Sequence, residues 1–158
     1  MFEWREVNQI GIVVRDLKKT LEHYWKVLHV GPWELWTFAP PNLKDATYRG
    51  KPAMHKFRLA ETMVGSVQIE LIEPLEGPTI YQEFLDKKGE GLHHIKQIVP
   101  LDRLESTLKH FKSMGIEVIQ SGRYDDDYFY NLDTEKLIGI ILEIGYAGGM
   151  RPGEARYP

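Results

Sequence analysis

The chain repeats itself once. Gln9-Ile10-Gly11-Ile12-Val13-Val14-Arg15-Asp16-Leu17 opens a unit that Val67-Gln68-Ile69-Glu70-Leu71-Ile72-Glu73 closes. His94-Ile95-Lys96-Gln97-Ile98-Val99-Pro100-Leu101-Asp102 opens a second unit, closed by Gly139-Ile140-Ile141-Leu142-Glu143-Ile144-Gly145. Each opening puts a side chain with a lone pair to give, Gln9 or His94, at the head of an apolar strand. Each closing puts a carboxylate, Glu70 or Glu143, inside an apolar strand. A chain of 158 residues suits one compact domain or two small half-domains that share a core. If the copies pack about a pseudo-twofold axis, these four side chains converge on one point as potential metal ligands. Gln9 to Glu70 spans 61 residues and His94 to Glu143 spans 49, and an insertion in the first copy accounts for the difference.

The local pattern predicts β-α-β-β-β in each copy. Val7, Ile10, Ile12, Val13 and Val14 read as a buried strand. Asp16 sits where an N-cap belongs, and Leu17, Leu21, Tyr24, Trp25 and Leu28 follow at helical spacing. Gly31-Pro32 ends that helix, and Trp33 to Phe38 reads as a short aromatic strand. Residues 42–52 are expected to be an irregular polar loop, and 53–60 and 66–73 two strands joined around Gly65. A short helix is expected over Thr79–Lys87. The second copy predicts a strand over 92–99, then a helix on Leu104, Leu108, Phe111 and Met114 that Gly115 stops. Strands near 116–120, 127–132 and 138–145 follow, with 133–136 as a turn. We therefore expect a single domain over 1–158: a first unit over 5–75, a linker over 76–91, a second unit over 92–146, and an extended tail over 147–158. That tail is either mobile or laid over a site.

Composition narrows the function. The formal net charge of −3 gives no basic surface for nucleic acid. The absence of cysteine removes disulfides, thiolate metal sites and cysteine nucleophiles. No apolar run approaches the roughly 20 residues of a membrane helix, and Met1 to Glu6 carries no apolar signal core. The expectation is a cytoplasmic protein with no nucleic-acid or membrane partner.

These segments resemble the vicinal oxygen chelate superfamily, which includes glyoxalase I, methylmalonyl-CoA epimerase, extradiol dioxygenases and antibiotic-resistance proteins. Ile69-Glu70-Leu71-Ile72-Glu73-Pro74-Leu75 and Gly91-Leu92-His93-His94-Ile95 look most like its epimerases and glyoxalase-like members. The resemblance implies an α+β fold in which two βαβββ units form an open, cupped mixed sheet around a metal site. It implies Gln9, Glu70, His94 and Glu143 as metal ligands, a set similar to that of eukaryotic-type glyoxalase I. The first position is most often His in this family. Epimerases place a further Glu on a strand before the second ligand, and the stretch we match to it, Tyr48 to His55, has no carboxylate. Only His55 or Lys51 could substitute there. Of the adjacent histidines, strand alternation lets one face the cup, and the family pattern selects His94 over His93.

One imidazole and three oxygen donors make a borderline-hard site. Zinc is expected first, with manganese, cobalt, nickel or iron as alternatives. The expected activity is a metal-dependent lyase or isomerase that removes a proton alpha to a carbonyl through an enediolate held on the metal. Glu143 or Glu70 is expected to act as the base. Two other readings stay open: a protein that binds an aromatic small molecule, as resistance members do, or a metal-dependent oxygenase. Trp33, Trp36, Phe38, His55, Tyr128 and Tyr130 are candidate pocket residues, although aromatics on strands also suit plain packing. Asp125-Asp126-Asp127 is expected to be a solvated hairpin turn. The partner is a small carbonyl or aromatic substrate, and a homodimer is compatible with the chain.

Overall fold

The computed structural model describes residues 2–158. The chain order is β1 (Gln9–Val13), α1 (Leu17–Leu28), β2 (Trp33–Phe38), β3 (Leu43–Tyr48), β4 (Lys51–Pro52), β5 (Lys56–Val64) and β6 (Val67–Glu76). It continues with α2 (Ile80–Lys88), β7 (Gly91–Ile98), α3 (Leu101–Ser113), β8 (Val118–Tyr124), β9 (Asp127–Leu132), α4 (Glu135–Ile138), β10 (Ile141–Tyr146) and β11 (Ala155–Tyr157). Among the described residues eleven strands form one sheet in the order β11-β2-β5-β6-β1-β7-β10-β9-β8-β3-β4. Its centre is symmetric. β2-β5-β6-β1 mirrors β8-β9-β10-β7, and β1 meets β7 antiparallel at the middle. Within each half the first and last strands are parallel, β1 with β6 and β7 with β10. The fold is thus α+β, with an open, curled mixed sheet.

Local chemistry sets the helices. Asp16 caps α1, its carboxylate accepting from Lys19 N at 2.9 Å, as the sequence predicts. Leu17 and Leu21 then face a cluster with Val14, Trp33, Ala60 and Leu71 behind the first half. α3 does the same for the second half, where Leu104 and Phe111 pack on Leu132, Leu142 and Ile144. The inner face of the sheet holds a third cluster, including Val13, Phe38, Phe57, Ile72, Phe129 and Ile141, to which α2 adds Ile80, Tyr81 and Leu85. The sheet curls far enough for its two halves to touch at their outer strands. Phe38 of β2 stacks on Tyr124 of β8 with ring centroids 4.2 Å apart.

Two expectations change, and of the two places open to the tail the structure takes the one over a site. Residues 42–52 are not an irregular loop but the β3–β4 hairpin, which pairs with β8 of the other half. Lys44, Asp45 and Lys51 look outward from that edge strand, so its sequence reads as polar loop although its backbone is paired. Residues 135–138 close the presumed turn as one helical turn. The tail crosses the sheet and adds β11 to the edge of β2. Among the described residues no helix is long and apolar enough to cross a membrane.

Candidate metal centre

Register alone brings the expected ligands together. Gly11 of β1 lies between Glu70 of β6 and His94 of β7. Lys96 of β7 lies between Gln9 of β1 and Glu143 of β10. Side chains two apart on a strand share a face, so Gln9, Glu70, His94, Lys96 and Glu143 all point into the cup. All five are buried. Gly11 is needed for this arrangement. A Cβ on it would stand 2.1 Å from His94 Cε1 and 2.4 Å from Nε2, so the imidazole lies across the space glycine leaves.

His94 Nε2 is 3.4 Å from Glu70 Oε2 and 3.4 Å from Glu143 Oε2. Burial opposes a charge on His94, but Glu143 and Glu70 outweigh it and raise its pKa. Asn131 Nδ2 donates to Glu143 Oε2 at 2.9 Å, and Lys96 Nζ stands 3.2 Å from Glu143 Oε1. Burial would lift the Glu143 carboxyl, yet Lys96, His94 and Asn131 hold it below its usual range. Burial works against the Lys96 ammonium too, and the carboxylates of Glu143, Asp127, Glu70 and Glu61 push its pKa up regardless. The expected alternation fails at the adjacent histidines: β7 is bulged opposite Gly11–Ile12, so His93 turns to the same side as His94, against Tyr81 and Phe84 of α2, with its Nδ1 3.0 Å from His94 Nδ1.

Gln9 and His94 carry the fit test for a metal ion. Gln9 Oε1 and His94 Nε2 are buried with no hydrogen-bond partner. Leaving such atoms unpaired costs roughly 1–3 kcal/mol each, so native cores rarely keep them. Ligand atoms about 2.1 Å from a shared ion lie about 3.4 Å apart in a tetrahedron, which is the spacing of His94 from both carboxylates. Among the described residues no group of three or more His, Cys, Asp or Glu is arranged to hold a metal ion as it stands, so the fit rests on the kind of donors and on the unpaired atoms of Gln9 and His94. The donor set fits a divalent cation.

Glu61 is the residue that sequence reasoning missed. It faces Glu70 across the β5–β6 hairpin. Gln9 Nε2 donates to its Oε1 at 3.2 Å and Gln68 Nε2 to its Oε2 at 2.9 Å. Burial, then the neighbouring Glu70, pushes its pKa well above the usual carboxylate range. The signal was in the chain: positions 61 and 70 are equidistant from the Gly65-Ser66 turn, so a tight hairpin must pair them. The stretch 48–55 ends before β5 begins, six residues short of Glu61.

Beside this cluster opens a chamber of about 540 Å³, walled among others by Glu34, Trp36, Asp127 and part of the tail between Ala147 and Pro152; Glu61, Gln68 and Lys96 reach its wall, whereas Gln9, Glu70, His94 and Glu143 lie beneath it. Among the candidate aromatics Trp36 lines it. Trp33 faces α1, with its indole donating to Val30 O. Phe38 is packed in the inner cluster, and His55 sits beside Phe57 with Nδ1 3.2 Å from Pro78 O. Tyr128 and Tyr130 lie on the α3 side of the sheet. These five do not reach the chamber, because each either points to the outer face or is buried deeper in the cup. Asp127 is not part of a solvated turn but lines the chamber, its pKa raised to about 6 by burial.

Residues 8–130 match the model of the Glyoxalase/Bleomycin resistance protein/Dioxygenase superfamily. The chain belongs to that superfamily. The uncharacterised protein YqjC of Bacillus subtilis (strain 168) is 52% identical over 89 residues, 56% of this chain and 54% of that one. The chain thus spans about half the length of the curated relative it matches. A hypothetical protein of Bacillus halodurans C-125 has the same fold (TM-score 0.65, 23% identity, covering 92% of this chain and 96% of that one). So does methylmalonyl-CoA epimerase from Mycobacterium tuberculosis (TM-score 0.60, 20% identity, 90% and 87% covered). A Streptomyces coelicolor methylmalonyl-CoA epimerase variant, in complex with 2-nitronate-propionyl-CoA, gives a TM-score of 0.62 at 18% identity, with 90% and 97% covered. At these identities the likeness to solved superfamily members shows the fold alone.

Proposed function

We propose that the protein is a divalent-metal-dependent lyase or isomerase that removes a proton alpha to a substrate carbonyl. Two buried atoms that make no hydrogen bond, Gln9 Oε1 and His94 Nε2, the latter flanked at 3.4 Å by Glu70 and Glu143, carry this reading. Gln9, Glu70, His94 and Glu143 hold the cation, with zinc first among the candidates. Bound there, it supplies a fixed positive charge that polarises a carbonyl and stabilises the charge left when the neighbouring C–H is lost.

The chain's own residues divide the remaining work. Glu143 is pinned by Lys96 and Asn131, which suits a ligand and weakens it as a base. Glu61 stands on the chamber wall with a raised proton affinity and, among the described residues, no cation within ion-pair distance, so we assign the base to Glu61 rather than to Glu143 or Glu70. Gln9 and Gln68 each donate to one Glu61 oxygen, which fixes the carboxylate and leaves its second lone pairs for the substrate proton. Trp36 and the tail shield the chamber from bulk water. One aromatic wall is too little to favour capture of a flat aromatic ligand.

Exchange of the alpha protons of hydroxyacetone in heavy water, followed by proton NMR on the zinc-loaded protein, tests the reading. Glu61→Gln should slow exchange at least about 100-fold with metal content unchanged. Exchange that survives Glu61→Gln but stops in Glu143→Gln returns the role to Glu143. A metal-loaded wild type that exchanges the alpha protons of neither hydroxyacetone nor pyruvate rules out the enolising reading.

A further inference from the structure

The two halves of the site are not equivalent, and the difference points at the substrate. The strand pairing that relates Gln9 to His94 and Glu70 to Glu143 also relates Gly11 to Lys96 and Glu61 to Asn131. Where the first half carries a glycine, the second carries a buried lysine. The sheet makes room for it. A Cβ on Gly145 would lie 2.5 Å from Lys96 Cε and 3.1 Å from Nζ, so the lysine stretches along a slot that glycine keeps open.

An ammonium has three N–H donors. Among the described residues Glu143 is the only ion-pair partner of Lys96, and it engages one oxygen, Oε1. Lys96 lines the chamber, which leaves donors directed at whatever fills it. Arg151, the other cation on the wall, is held by both oxygens of Asp125, at 3.0 and 2.6 Å. Glu143 turns Oε2 toward His94 and Oε1 toward Lys96. The ammonium therefore stands one carboxylate's breadth from the ligand cluster, close enough to meet an oxygen one or two bonds from the reacting carbonyl.

We propose that Lys96 is a specificity-determining residue that anchors a substrate carboxylate, so that the substrate is a carbonyl compound carrying a carboxylate beside the reacting carbonyl. This rests on the reading of the site as a carbonyl-enolising metal centre and adds the charge of the substrate to it. A neutral carbonyl compound leaves the Lys96 donors unmet in a buried site, and so binds more weakly.

The test compares pyruvate with hydroxyacetone, which share a carbonyl with an adjacent oxygen and differ in the carboxylate. Dissociation constants come from ligand-observed NMR titration of the zinc-loaded full chain, wild type, Lys96→Met and Lys96→Arg, with metal content measured on each. The preference for pyruvate should fall about tenfold in Lys96→Met, the loss expected for one charge-assisted hydrogen bond. Lys96→Arg should keep part of it. Because Lys96 also holds Glu143, the readout is the ratio of pyruvate to hydroxyacetone affinity within each variant, not either affinity alone. A merely structural lysine would weaken both probes alike, and that result overturns the proposal. So does a wild type without preference for pyruvate, which requires no variant to fold. Absence of bound metal with the pyruvate contrast intact overturns the metal reading alone. Bound metal without the contrast overturns the role of Lys96 alone.

Discussion

Gly11 and Asp127 show how single residues tune this centre. Gly11→Ala places a methyl group inside the His94 ring, which is fully buried and hemmed by Glu70, Glu143 and His93. We expect a loss of about 1–3 kcal/mol in urea unfolding and a matching loss of metal binding, because the imidazole must turn. Full metal content in a stably folded Gly11→Ala would show that His94 need not lie where it does. Asp127 titrates near 6 instead of 3.8, raised by burial against the pull of Lys96, with Glu143 and Glu70 adding to the rise. For an acid with a raised folded pKa, the cost is nil below the unfolded value. It grows as pH rises between the two values and is complete above the folded one. Asp127→Asn should therefore stabilise the metal-free protein by up to about 3 kcal/mol at pH 7.5 and leave it unchanged at pH 3.5. Equal stabilisation at both pH values would contradict the buried-carboxyl account.

Two elements decide how much of the centre is reachable, and they differ in how plainly the sequence shows them. The β5–β6 hairpin carries its own register, since a tight turn at Gly65-Ser66 sets Glu61 against Glu70. Glu61 is therefore legible once the turn is placed, whereas the stretch 48–55 matched to the family's further Glu lies before its strand. The tail was not legible. Ala147 to Pro158 has no periodicity, and its place is set by partners far along the chain. Trp36 Nε1 donates to Arg151 O at 3.0 Å, Thr37 donates to both Glu154 oxygens, and β11 pairs with β2. The β3–β4 hairpin was hidden for a similar reason: its pairing partner, β8, belongs to the other half. Replacing Arg151 and Glu154 together by Ala should speed amide hydrogen exchange across residues 153–157 at least about tenfold, because these amides then report local opening. The amides of β1 and β7 should not change. Unaltered exchange in the tail would mean that β11 pairing alone holds the strap.

At the scale of the molecule, duplication places four potential ligands at one point, and departures from the duplication specialise them. The ligand positions sit on four adjacent central strands, β6-β1-β7-β10, so their convergence follows from the repeat and from strand alternation. The strands with the clearest apolar runs were also the most legible, with β2 and β9 falling where their sequences predict. The division of roles was not legible, because it depends on which side chains meet across the pseudo-twofold axis. Glu70 faces Glu61, whereas Glu143 faces Asn131 and Lys96. The central claim is that this crossing holds a divalent cation, and metal analysis of the purified full chain tests it most directly. After saturation with zinc and gel filtration, wild type should retain about one ion per chain, with a thermal midpoint above that of the stripped protein. His94→Ala and Glu70→Ala should retain essentially none. Wild type that retains no zinc, manganese, cobalt, nickel or iron, or a His94→Ala variant that holds metal as tightly as wild type, would contradict the account.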